Sequence, residues 1–192
     1  MLSIIIPVYN EDKRVQDIIA RVNILPIEKE IIVVDDCSKD NTAAVLRSFS
    51  LEHLRVIHHA TKRGKGAAVR TGVENAAGDF VLIHDLDLDH EPGVIPKLLE
   101  VVKSQQAEIA LGIRLSAGQR GKIGTRLVNR LVSMFLNLFY WTKLSGWFSG
   151  YLLMRRQDFL GLVLESNGED VNFEILTKAL DKKMRIKEVP GK

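Results

Sequence analysis

The chain has one cysteine, Cys37, so no internal disulfide can staple the fold and nothing points to an oxidising compartment. The expected location is the cytoplasm. Long apolar runs are also missing. LVSMFLNLFYW, residues 131 to 141, falls well short of the roughly 20 residues that a spanning helix needs. The N-terminal MLSIIIPVYN has no basic residues ahead of its apolar run and passes into a Pro-Val-Tyr-Asn-Glu turn instead of a small-residue cleavage site. It reads as a strand rather than a secretion signal. Charge of one sign is nowhere concentrated into a basic stripe: 27 Lys and Arg against 24 Asp and Glu leave a net +3. Nucleic acid is therefore not an expected partner, while the mildly basic surface suits phosphates or anionic lipid.

Several familiar chemical signatures are absent too. Neither G-x-x-x-x-G-K-[ST] nor G-x-G-x-x-G occurs, which removes the P-loop and the dinucleotide fingerprint. There is no G-x-S-x-G elbow and no evident histidine base for Cys37, so nucleophilic catalysis by Ser or Cys is not expected. His58 and His59 are adjacent, hence on opposite sides of a strand, and no His-x-x-x-His or cysteine cluster accompanies them or His84 and His90. A zinc site is not supported.

What is present is a rhythm. Short β-branched runs, SIIIPV, EIIVV, RVIHH, FVLI and EIALGI, alternate with the helix-like segments EDKRVQDIIARV, DNTAAVLRSF, GKGAAVRTGVENAAG and PGVIPKLLEVVKS. The alternation predicts an α/β fold with a mostly parallel central sheet flanked by helices. Continuous apolar strands such as IIVV and FVLI fit a sheet buried on both faces. With 192 residues, 46% of them hydrophobic, the chain can form one domain around a real core. After residue 114 the rhythm changes to a Gly/Arg/Lys-rich loop and a long helical pattern from about Ile123 to Leu144. LLMRRQDFLGLVL, EDVNFEILTKALDKK and MRIKEVP then read as a strand, two helices and a last strand.

Polar clusters follow three of the strands: Pro7-Val8-Tyr9-Asn10-Glu11, Asp35-Asp36, and Asp85 to Asp89. Ligands of open α/β sheets bind at the carboxyl ends of the strands, so all three can line one crevice. In an extended segment Asp85, Asp87 and Asp89 share one side, with Leu86 and Leu88 on the other. Three like charges so close call for a cation, and Mg²⁺ or Mn²⁺ is suitable because it takes oxygen ligands and leaves positions for substrate phosphates. The alternative is a solvated acidic turn capping the helix that begins near Pro92. TKRGKGAAVRTG, residues 61 to 72, is either a tight turn capping a helix or a loop that lets backbone approach a nucleotide sugar. On the Ile123 to Leu144 helix, Lys122, Arg126, Asn129, Arg130, Ser133 and Asn137 fall in one polar arc about 100° wide. Such a helix packs into the domain or a homodimer interface, or lies on a membrane surface.

Taken in order, IIIPVYNE, IIVVDDCSKDNT, KRGKGAAVRTGVENAAGDFVLIHDLDLDHEP and LSGWFSGYLLMRR resemble successive blocks of the family 2 glycosyltransferases with the GT-A fold. The branch they are most like holds the dolichyl-phosphate mannose synthases and polyprenyl-phosphate glycosyltransferases. The resemblance implies one catalytic domain over 1 to 192, with a nucleotide-sugar half (1 to 113) and an acceptor-side half (114 to 192). It puts Pro7, Tyr9, Asn10 and Glu11 at the nucleotide pocket and Val34 and Asp36 against base and ribose. Asp85, Leu86 and Asp87 match the D-x-D motif and, with Asp89, would hold Mg²⁺ or Mn²⁺ on the donor diphosphate. Arg114 matches an arginine near that diphosphate, and Arg126, Arg130 and Ser149 fall near the acceptor phosphate. Asp89 and Glu174 are the candidate bases should the acceptor be a hydroxyl.

The implied activity is inverting transfer of a mannose- or glucose-like sugar from a GDP- or UDP-sugar to a polyprenyl or dolichyl phosphate. The enzyme would sit peripherally at the cytoplasmic face of a membrane, which makes the surface-lying role of the Ile123 to Leu144 helix the preferred one. Against the family pattern, Leu86 replaces alanine, Asp89 stands where glutamine is common, and Cys37 stands where glycine or serine is common. The sequence also stops at VPGK where relatives continue into a basic segment, leaving Lys187 or Lys192 to substitute for its charge. Two competing readings are a soluble or polysaccharide hydroxyl acceptor, and a nucleotide-sugar-binding module without turnover.

Overall fold

The computed structural model describes residues 1–86, 91–114 and 150–191. In chain order these form β1 (Leu2–Val8), α1 (Val15–Asn23), β2 (Lys29–Asp35), α2 (Thr42–Arg47), β3 (Leu54–His58), α3 (Lys65–Glu74) and β4 (Phe80–His84). A 3₁₀ turn (Pro92–Val94), α4 (Ile95–Lys103), β5 (Ile109–Arg114), β6 (Tyr151–Arg155), α5 (Arg156–Gly161), α6 (Val171–Asp181) and β7 (Ile186–Gly191) come next. The predicted alternation is present strand for strand.

The strands make one seven-stranded sheet in the order β3-β2-β1-β4-β6-β5-β7. β1 pairs in parallel with both β2 and β4, and β2 with β3. β6 alone runs the other way, antiparallel to β4 and to β5, while β5 and β7 are parallel. Both faces are covered because strand side chains alternate. Ile4 and Ile6 of β1 enter a core with Val15, Ile19 and Val22 of α1 and Ile95, Leu98 and Val102 of α4. Ile5 enters the opposite core with Ala68, Val69 and Val73 of α3 and Val171, Ile175 and Leu176 of α6. The spacings Val15, Ile19, Val22 and Ile95, Leu98, Leu99, Val102 are single helix faces, and each such fully buried aliphatic side chain contributes about 1.5–3 kcal/mol.

The parallel strands all end at one sheet edge, and the chain turns sharply there. Asn10 (φ 56°) and Cys37 (φ 62°) adopt left-handed backbone just past β1 and β2. That conformation explains why glycine would suit position 37, since a Cβ costs energy there. Among the described residues no helix is long and apolar enough to cross a membrane. The Ile123 to Leu144 helix expected from the sequence lies outside the described residues.

Candidate active site

The carboxyl ends of β1, β2 and β4 border a cavity of about 410 Å³. Pro7, Tyr9 and Glu11 come from the β1 end, Asp36 from the β2 end, Asp85 and Leu86 from the β4 end. The adjoining wall is Lys62, Gly64 and Lys65 at the start of α3, and the far side is Gly168 and Glu169 from the loop before α6. The described residues of all three polar clusters expected at the sheet edge are therefore close together, although not every one of them faces the cavity.

At the β1/β2 rim, Asp36 is 3% exposed and its carboxylate accepts from the backbone N–H groups of Arg63 (2.8 Å) and Gly64 (2.7 Å) and from Nδ1 of His59 (2.7 Å). Burial works to raise its pKa, but the hydrogen bonds from His59, Arg63 and Gly64 outweigh that and hold the carboxyl below its usual range. Asp36 is thus committed to shaping the loop that leads into α3. His59 extends the network through Nε2 to Thr71 Oγ1 at 3.0 Å. The Lys62 ammonium sits 3.6 Å from the centroid of the Tyr9 ring, a cation–π contact on the cavity wall.

Asn10 stands outside the cavity lining, where its Oδ1 accepts from the Lys39 N–H and ties the two strand-end turns together. Val34 is fully buried in the core on the α3 side of the sheet. It supports the β2 end from behind, without bordering the cavity.

At the β4 rim, the Asp85 side chain is 5% exposed and meets Lys65 Nζ at 2.5 Å; the same ammonium lies 3.1 Å from Glu169, whose side chain is 74% exposed. Burial works against the charge on Lys65, but Asp85 and Glu169 prevail and raise its pKa. Behind this trio, buried His84 packs edge-to-face on Tyr151, with ring centroids 4.7 Å apart.

Glu169 reaches the cavity because its loop is strapped over the start of α3. Gly66 N–H donates to Asn167 O at 3.0 Å, and Arg70 donates to Ser166 O and Asn167 Oδ1. A Cβ on Gly64 (φ +97°) would lie 2.1 Å from Asn167 O, and one on Gly66 2.2 Å from Ser166 O. Only glycine admits the strap at those two positions. From the other side, the Glu174 carboxylate accepts from the N–H groups of Glu165 (2.8 Å) and Ser166 (2.9 Å) and pairs with Lys178 at 2.8 Å. Burial pushes the Glu174 pKa up, yet Lys178 and the two N–H groups bring it below the usual value. Glu174 is not among the cavity residues: it bears on the site through the strap it anchors.

Sequence reasoning singled out the TKRGKG block without assigning Lys62 or Lys65 a role, and it missed Glu169. The basic residues beside two glycines were the available signal for the first two. For Glu169 the local signal was slight, because its place depends on the Arg70 and Glu174 contacts. Arg114 closes β5, with its Cα opposite Gly191 of β7. Lys187 of β7 donates to Gln106 in the turn between α4 and β5 and lies away from the cavity lining. Asp87, Asp89, Arg126, Arg130, Ser149 and Lys192 lie outside the described residues.

Residues 3–162 match the sequence pattern of Glycosyl transferase family 2. The chain belongs to that family. Family 2 membership agrees with its relatives: it is 32% identical to a dolichol-phosphate mannosyltransferase of Pyrococcus furiosus, over 98% of this chain and 55% of that protein. It is 35% identical to an undecaprenyl-phosphate 4-deoxy-4-formamido-L-arabinose transferase of Pseudomonas fluorescens, over 71% of this chain and 40% of that protein. The chain spans about half the length of the curated relatives it matches. Glucosyl-3-phosphoglycerate synthase of Mycobacterium tuberculosis, crystallised with Mg²⁺ and uridine diphosphate, superposes with a TM-score of 0.80 at 20% identity, covering 99% of this chain and 69% of that one. The expected GT-A fold of the family 2 enzymes is therefore the fold observed.

A divalent cation is the group that this fold family implies. Among the described residues no three His, Cys, Asp or Glu side chains converge on one point, and of the D-x-D carboxylates only Asp85 is described. Its environment nevertheless fits a cation: the buried Asp85 carboxylate already sits against one positive charge, the Lys65 ammonium, and its oxygens suit a hard ion.

Proposed function

We propose that this family 2 chain transfers a mannose- or glucose-like sugar, with inversion, from a GDP- or UDP-sugar to a polyprenyl or dolichyl phosphate. The observation that carries the reading is the cavity itself. A rim with the Tyr9 ring and Pro7, backed by the loop that Asp36 holds, lies at the β1/β2 side and suits a nucleoside, and the buried Asp85 carboxylate lies at the β4 side, where a donor diphosphate must be neutralised. The relatives' names supply the acceptor class, since both act on polyprenyl-type phosphates.

In this reading Tyr9 and Pro7 position the nucleoside, and Asp36 holds the Arg63-Gly64 backbone that closes over it. Asp85, with Asp87 and Asp89, would hold Mg²⁺ or Mn²⁺, which when bound neutralises charge on the departing diphosphate. Arg114 contributes positive charge to the same leaving group, while Arg126, Arg130 and Ser149 receive the acceptor phosphate at the membrane surface. An acceptor phosphate oxygen attacks the anomeric carbon as the bond to the nucleoside diphosphate breaks and the departing oxygen keeps the electron pair. Because the attacking oxygen is already anionic near neutral pH, no strong base is needed.

A soluble hydroxyl acceptor is the second reading, favoured by the fold likeness to an enzyme crystallised with Mn²⁺, uridine diphosphate and phosphoglyceric acid. It would require a base, for which Asp89 and the cavity-lining Glu169 are available. The deciding assay is Mn²⁺-dependent transfer from a panel of GDP- and UDP-sugars to polyprenyl phosphate in mixed micelles, run beside soluble acceptors. Transfer to lipid phosphate supports the first reading and transfer only to soluble acceptors the second. Tight nucleotide binding with no turnover would reduce the chain to a binding module.

A further inference from the structure

Lys65 stands on the atom that a metal would need. Its ammonium lies 2.5 Å from Asp85 Oδ2, and both side chains are nearly out of solvent, at 9% and 5% exposed. A divalent ion bound to that carboxylate sits at about 2.0–2.2 Å from its oxygen, which would set two positive centres side by side in a buried site. An ammonium held on one oxygen of Asp85 weakens the hold of that carboxylate on a dication at the other. The lysine has somewhere to go: Glu169 is already 3.1 Å from Nζ, is mostly exposed, and is held in place by the strap across Gly64 and Gly66.

We propose that Lys65 is a resident counter-ion of the donor site, neutralising Asp85 before loading and yielding it to the divalent cation when a donor diphosphate supplies new anionic oxygens. The inference deepens the glycosyltransfer reading and rests on it for the identity of the diphosphate. Its consequence is that metal and nucleotide load together. Either one alone must bind against the Lys65–Asp85 pair, whereas the two together satisfy every charge, and such coupling is reciprocal.

Calorimetric titration of the chain with Mn²⁺ alone, and with Mn²⁺ in saturating uridine or guanosine diphosphate, tests this. The wild type should bind Mn²⁺ weakly alone and about tenfold more tightly with nucleotide. Lys65→Met should tighten Mn²⁺ alone by about tenfold and reduce the gain from nucleotide to less than about threefold. Lys65→Arg, which keeps the charge, should keep the coupling. Glu169→Gln removes the lysine's second anchor and should weaken Mn²⁺ alone by about threefold.

Unchanged or weaker Mn²⁺ binding in a Lys65→Met protein that melts cooperatively overturns the proposal. Should that variant not fold, unchanged Mn²⁺ affinity in Glu169→Gln overturns it instead. A wild type that binds neither nucleotide defeats the glycosyltransfer reading, while the comparison with Mn²⁺ alone still decides the role of Lys65.

Discussion

Asp36 and Asp85 are the same residue type, both buried, both just past the end of a parallel strand on one cavity, and their charges are met in opposite ways. Asp36 is surrounded by fixed donors: two backbone N–H groups and a histidine that is itself held by Thr71. Asp85 faces the tip of a lysine side chain. A carboxylate fixed by backbone cannot exchange its partner without unfolding the loop around it, whereas a side-chain ammonium can swing away. The first is built to hold shape and the second to change partners.

The sharpest way to break the contrast is Asp85→Asn, expected to cut sugar transfer by about 100-fold or more and to remove metal-dependent nucleotide binding while the melting transition stays cooperative. Transfer assays beside calorimetry check it, and retained Mn²⁺-dependent nucleotide binding would remove Asp85 from the site. Asp36→Asn should do the reverse, costing about 2 kcal/mol of stability because an amide cannot satisfy all three donors. Denaturant unfolding measures that cost.

The pH dependence carries the same signature. The folded-state pKa of Asp36 lies below its unfolded value, so its contribution is fully present above the ordinary carboxylate pKa of about 3.9 and is lost as pH falls toward the depressed value. Wild-type stability should decline below about pH 4, and Asp36→Asn should flatten that decline. Equal acid sensitivity in the two proteins would remove Asp36 from the account.

Glu174→Ala tests the strap between the two rims. Releasing the Glu165 and Ser166 N–H groups should let Glu169 leave the cavity wall and weaken nucleotide affinity by about tenfold, with Glu174→Gln intermediate. An unaltered affinity would make the strap merely structural. The smallest effect is expected at Cys37, outside both networks. Cys37→Gly relieves left-handed backbone at φ 62° and should stabilise by about 0.5 kcal/mol, read from the unfolding midpoint, with donor binding unchanged.

The alternation of IIVV and FVLI with helical segments made the sheet legible, because a parallel strand buried on both faces has few other ways to be written. The three polar clusters were legible for the same reason: residues placed directly after a parallel strand lie at its carboxyl edge. Asp36 and Asp85 looked equivalent in sequence since their partners are distant. The pairing of Asp35 with His58, and of Asp36 with His59, depends on β2 and β3 running parallel with Asp35 opposite His58. No periodicity in either strand displays that register. The strap was harder still, joining Arg70 to Ser166 across 96 positions. Val34 and Glu174 show the complementary lesson, for a residue matched to a family block can support a pocket from behind without facing it.

Strand β6, the one reversed member of the sheet, has a further consequence. Because it runs against β4 and β5, its first residues lie at the same edge where β5 ends, and Asp85 N–H donates to Gly150 O at 2.9 Å. Arg114 and Gly150 therefore stand on one rim of the sheet, and Gly150 is tied by that hydrogen bond to cavity-lining Asp85. The reversed strand thus clamps the Asp85 backbone from a segment distant in sequence, so that the pairing of His84 with Tyr151 decides where the Asp85 carboxylate enters the cavity.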